Sequence, residues 1–202
     1  MFSLQEMLGQ EQGDEAVNQI SSGTGIESSL VNSAVQAALP HILGGLANNA
    51  STPDGAESLN TALGQHDGSL LDNLGGLATS VLGGGASSPQ TDGGGILSHI
   101  LGGSQDTVTQ DVSQKTGLGS SQVMQILMML APIVMSHLGR QKQQAGVGAD
   151  GLGGLIGGML GGQQQSSSGG ILGMAESMLN RDHDGSVVDD LASSAMNYFK
   201  NR

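Results

Sequence analysis

The stretch TQDVSQKTGLGSSQVMQILMMLAPIVMSHL, residues 109–138, decides the fold, because it matches without a gap the stretch VNQISSGTGIESSLVNSAVQAALPHILGGL at residues 17–46. Thr24 falls on Thr116, a separation of 92 positions, and the same separation pairs Gly25 with Gly117, Ile26 with Leu118, Val31 with Val123, Pro40 with Pro132 and Leu46 with Leu138. Self-similarity at a fixed spacing marks a repeated structural unit. In each copy the apolar residues recur at three- and four-residue steps, which is the period of a helix and not of a strand. In the second copy Val123, Ile126, Leu127, Leu130, Val134 and Leu138 form the stripe. Met124, Met128, Met129 and Ile133 extend it around the helix, which predicts burial between other helices. Pro40 and Pro132 lack an N–H and predict a kink or a break. The Thr-Gly-apolar turn ahead of each long helix predicts a preceding helix that ends at the glycine, with an apolar anchor after it. That earlier helix carries Val17 and Ile20 in one copy, and Val108 and Val112 in the other.

A second matched block lies further out: HDGSLLDNL at 66–74 and HDGSVVDDL at 183–191. Its separation is 117, so the second copy holds an insertion, and the Gly-, Gln- and Ser-rich stretch 144–170 supplies it. Such composition predicts a flexible segment. The expected architecture is all-α, with two tandem divergent helical repeat units joined by Gly-rich flexible linkers. Residues 1–13 form an N-terminal segment, 14–82 the first repeat, 83–105 a Gly-rich linker with a short apolar helix, and 106–202 the second repeat with its insertion.

Composition limits the function. Two Phe, one Tyr and no Trp leave an aliphatic core and argue against sites that stack bases or sugars. The formal net charge is −12, none of the six Lys and Arg lies before position 115, and no basic stripe exists to meet phosphates. Nucleic-acid binding is therefore not expected, and charge gives no support to a membrane surface as partner. The absence of cysteine removes disulfides and thiolate chemistry. The start, MFSLQEMLGQEQGDEAV, has no basic segment and no apolar run, so no secretory signal is expected and the location expected is cytoplasmic. The longest apolar run, 126–135, is about half the ~20 residues that a spanning helix needs.

Three features invite a chemical reading. Asn180, Asp182 and Asp184, followed by Gly185 and Val187, match the opening of a calcium loop, with Asp189 and Asp190 as later oxygen donors. Leu191 stands where such a loop needs its bidentate glutamate, so a weak calcium site at Asp182, Asp184, Asp189 and Asp190 competes with a plainer role. In that role Ser186 caps the last helix and Asp189 completes the cap, as Ser69 and Asp72 do in the first copy. His-Asp-Gly-Ser as a hydrolase centre is disfavoured, since neighbours in one tight turn do not give the geometry of a nucleophile, base and orienting group. GLGGLIGGMLGG at 151–162 carries an apolar stripe among glycines that cost about 1 kcal/mol each in a helix, so the helix needs a partner. Glycine pairs every four residues suit close helix approach, and this segment is a candidate for self-association or for contact with a membrane surface.

The repeated Thr-Gly-apolar turn, the apolar helix with its proline, the HDGS blocks and the Gly-rich spacers together resemble a bacterial family known only as domain of unknown function 937. The resemblance spans most of the chain. It implies a bacterial origin and a helical fold, and it implies no activity, substrate or catalytic residue. The function expected is thus non-enzymatic, without a cofactor: an interaction or self-assembly module using the apolar helices at 31–46 and 123–138 and the Gly-striped segments. The alternatives are a calcium-responsive module through 180–191 and peripheral membrane association.

Overall fold

A computed structural model describes residues 3–72, 74–76, 80, 81 and 91–161, and among these residues every regular element is a helix. They run α1 (Leu4–Leu8), α2 (Gln10–Thr24), α3 (Ser28–Ala50), α4 (Pro53–Gln65), α5 (Ser69–Asp72), α6 (Gly93–Leu101), α7 (Gln105–Thr116), α8 (Ser120–Ala145) and α9 (Ala149–Gly161). Short 3₁₀ turns stand at Leu74–Gly76 and Gly102–Ser104.

The turns at Gly25 and Gly117 in the two matched stretches have the same geometry. In the first copy Gly25 takes the left-handed conformation at φ 69° and returns its N–H to the Ser21 carbonyl, and Gly117 does the same at φ 76° with Ser113. Such a backbone is open to glycine without a Cβ penalty. The Ser21 hydroxyl then donates to the Ile26 carbonyl, as the Ser113 hydroxyl donates to that of Leu118. The Thr24 and Thr116 hydroxyls donate to the carbonyls four residues back, each at 2.7 Å. Ile26 and Leu118, the apolar anchors, are buried. The turn is thus closed by side chains that recur at the 92-residue separation.

Helix α3 buries Val31, Ala34, Val35, Ala38, Leu39, Ile42, Leu43 and Leu46, one continuous face at helical spacing. Helix α8 is enclosed on all sides from Met129 to Gly139, and it is the axis against which α2, α3, α4, α5, α6 and α7 pack. Both helices continue through their prolines, so Pro40 and Pro132 do not split them. Pro132 offers no N–H to the Met128 carbonyl, and the backbone of Gly93 at the start of α6 lies against that oxygen with no room for a Cβ. By length and composition α3 and α8 would each suffice to cross a membrane, a test that core helices also pass, and 78% of the most apolar window of α8 is buried inside this fold.

Met1–Leu160 form one compact unit. A single hydrophobic cluster takes residues from both matched stretches, from Leu4 and Ile20 through Leu130 and Leu138 to Ile156. The segment 83–105, expected to hold a short apolar helix, contains α6, and the Gly-rich stretch that begins at 144 contains the packed helix α9. In α6, Leu97, Ile100 and Leu101 are buried; in α9, Leu152 and Ile156 are fully enclosed and Leu155, Met159 and Leu160 lean on the same core. Burying a Leu or Ile side chain contributes about 1.5–3 kcal/mol, which offsets helical glycines at about 1 kcal/mol each. In α9 the enclosed Leu152 and Ile156 act together with the partly buried Leu155, Met159 and Leu160 to offset its glycines.

Candidate interaction surface

Polar side chains join the first copy to the second. His41 on α3 meets Asp111 on α7, Nε2 to Oδ2 at 2.8 Å, and Lys115 reaches the same oxygen at 2.7 Å. The Lys115 ammonium first, and His41 second, hold the Asp111 carboxyl below its ordinary range. Arg140 on α8 donates to the Gly68 carbonyl at 2.8 Å and to Asp72 at 2.6 Å. Lys142 donates to the Asn60 carbonyl at 2.8 Å. At the far end of α6, the Asn49 amide donates to the carbonyls of His99 and Ile100, groups that a helix C-terminus leaves unpaired. The three Lys and Arg residues within the described segments are therefore all engaged inside the chain.

The HDGS block of the first copy lies in the same junction. His66 is 4% exposed, its Nδ1 is 2.8 Å from the Ala62 carbonyl, and its Nε2 is buried without a hydrogen-bond partner among the described residues. Ser69 and Asp72 were expected to cap the helix that follows. Ser69 is instead the first residue of α5, and its N–H donates to the Asp67 carboxylate at 3.0 Å. The bonds from Ser69, side chain and then backbone, hold Asp67 below the usual carboxylate range. Asp72 turns outward to Arg140. An acid two residues ahead of Ser69 makes the local turn, which leaves Asp72 for the long-range pair. The second HDGS block, with Ser186, Asp189 and the proposed calcium donors Asp182, Asp184 and Asp190, lies outside the described residues.

The apolar faces of α3 and α8 named as contact surfaces are turned into the shared core, and Leu30, at 38%, is the exposed large apolar residue among the described residues. Helix α9 differs. Gly153, Gly154, Gly157 and Gly158 line its exposed side, and Gly154, Gly157 and Gly158 have open space where a side chain would stand. Three glycines elsewhere are required by packing: a Cβ on Gly45 would meet the Ile100 backbone, one on Gly93 that of Met128, and one on Gly139 that of His66. Among the described residues nothing requires glycine on the outer face of α9.

Sequence reading missed the inter-repeat bonds of His41, Asp111, Arg140 and Lys142. A signal existed in the placement of every Lys and Arg at position 115 or later in a chain whose first half is acidic. The profile of a bacterial protein family of unknown function (DUF937) matches residues 6–141. No curated protein and no solved structure matches the chain.

Proposed function

The chain belongs to this bacterial family of unknown function, and on that premise we propose that it is a non-enzymatic self-assembly module, built from two divergent copies of one helical unit, whose contact surface for a second copy is the outer face of α9. The observation that carries the reading is the run of Gly153, Gly154, Gly157 and Gly158, exposed and, among the described residues, with no neighbour that excludes a side chain. Helical glycine costs about 1 kcal/mol relative to alanine, and a cost paid four times on an open face is accounted for when another helix approaches there. The engagement of Arg140 and Lys142 supports the same reading, since both bond back to the segment 60–72 and neither is left for a charged partner. The proposal includes a cytoplasmic location and neither nucleic acid nor cofactor as partner.

Light scattering coupled to size exclusion, over a concentration series, tests it. Wild-type protein associates as concentration rises, and Gly154→Leu with Gly158→Leu stays monomeric while keeping its helical circular dichroism. A wild-type monomer at every concentration, or association unchanged in the variant, would overturn the reading. Adding calcium to the same series examines the alternative through 180–191, which requires the association to depend on the metal.

A further inference from the structure

Between α1, α2 and the start of α3 lies an open groove of about 380 Å³, lined among others by Gln5, Asp14, Val17, Ser28, Ser29 and Asn32. Asn32 Oδ1 is shut off from solvent and accepts no hydrogen bond among the described residues. A buried amide oxygen without a donor is costly, and such groups in folded chains call for an explanation. The matched position of the second stretch carries different chemistry. Met124 occupies the position of Asn32 at the 92-residue separation, and the Gln105 amide donates to its sulfur at 3.2 Å. The first copy keeps the aspartate, as Asp14 for Asp106, and both serines, yet places an unpartnered acceptor where the second places a sulfur that is already engaged.

The remaining chemistry selects the ligand. Gln5 Nε2 donates to Asp14 Oδ1 at 2.9 Å, so an N–H donor already stands at the carboxylate, supplied by a half-buried side chain with no other side-chain bond among the described residues. Glu11, Glu15 and Glu27 are exposed nearby in sequence, and Glu27, at the N-cap of α3, offsets the positive end of that helix. No Lys or Arg of the chain precedes position 115. Val17, 5% exposed, gives the groove an apolar wall.

We propose that this groove binds an alkylammonium group. Its three N–H donors meet acceptors of the right kind: the Asp14 carboxylate, where the ammonium replaces the Gln5 amide, Asn32 Oδ1, and a hydroxyl of Ser28 or Ser29. The aliphatic stem lies along Val17. The group arrives either on a free amine or on a lysine side chain, and the chemistry at the groove is the same.

Titration calorimetry on the full chain tests the site with n-butylammonium, with n-butanol as the neutral isostere, and with N-acetyl-lysine methylamide. Saturable binding of n-butylammonium and none of n-butanol is the expected result. Asn32→Met, which installs the residue of the second copy, weakens that binding by about tenfold or more and leaves the circular dichroism unchanged. Asp14→Asn, on the exposed rim, gives the same loss by a change that does not touch the core. Equal or tighter binding of the lysine analogue points to a lysine-bearing partner, and binding of n-butylammonium alone points to a free amine. No saturation by either ammonium probe, equal binding of n-butanol, or binding unchanged in both variants would overturn the site.

Discussion

The α-carbon of Gly139, in the middle of α8, stands against the carbonyl oxygen of His66 so closely that a methyl group at that position would overlap the oxygen. One residue of the second copy thereby fixes the HDGS block of the first, and the contact involves two backbones, neither of which can rotate away. Gly139→Ala is expected to cost about 3 kcal/mol or more, the upper range for overpacking. Gly154→Ala, on the open face of α9, is expected to gain up to about 1 kcal/mol in monomer stability through helix propensity. Urea denaturation of the two variants beside wild type reads both, and equal stability would contradict the packing described.

Arg140 reaches the same block from the next position on α8, donating to the Gly68 carbonyl and to Asp72. Asp72 is 68% exposed on its side chain, so the ion pair itself is expected to contribute less than about 1 kcal/mol. The bond to the Gly68 carbonyl, in a buried residue, is expected to contribute more. Arg140→Ala should lose about 2 kcal/mol and Asp72→Ala about 0.5 kcal/mol. Equal losses in the two variants would show that the exposed pair, and not the carbonyl, holds the junction.

The duplicated turns make a matched pair. Ser21→Ala and Ser113→Ala each remove a hydroxyl bond to the carbonyl that follows the glycine, and each should cost about 1 kcal/mol. Because both turns feed one core, either loss should lower a single unfolding transition. Two separable transitions in calorimetry would mean that the copies fold independently.

The pH dependence follows from His137. Burial first, and the Arg140 charge second, push its imidazole below the ordinary value of 6.5. Gln141 Nε2 stands 3.2 Å from its Nε2, an arrangement in which the amide donates to a neutral ring. The unfolded chain therefore binds this proton more readily than the folded one. Stability is complete above 6.5 and falls as pH drops below it toward the lowered folded value. His137→Gln should flatten that part of the profile. Asp111 acts in a separate, more acidic window: its stabilisation is present above 3.8 and is lost as pH falls through its lowered folded value. A stability profile flat between pH 7 and pH 5 in wild type would contradict the burial of His137.

The helices and the turns were legible because they rest on local chemistry. Gly25 and Gly117 announce the left-handed ends, and the spacing from Val31 to Leu46 shows which face of α3 is buried. What local pattern does not contain is the partner of each face. The apolar surfaces of α3 and α8 read as contact surfaces because the sequence does not say that they meet each other, with α6 against both. The glycine-rich stretch at 151–162 reads as a helix that needs a partner, and Leu152 and Ile156 find that partner in the chain's own core. Of the candidate surface, the Gly-pair spacing of α9 was visible in advance. The placement of Asn32 over a groove was not, since an orphaned oxygen is a property of the packed chain.

The central claim is that the glycine face of α9 meets a second copy. The chain contains no cysteine, so a single cysteine at Gly157 can report that meeting without interference, with a cysteine at the exposed Gln114 of α7 as reference. Under mild oxidation the Gly157→Cys protein is expected to form a disulfide-linked dimer in a concentration-dependent manner and at low protein concentration, while the Gln114→Cys protein stays monomeric. Equal cross-linking of the two, or none at Gly157, would contradict the account.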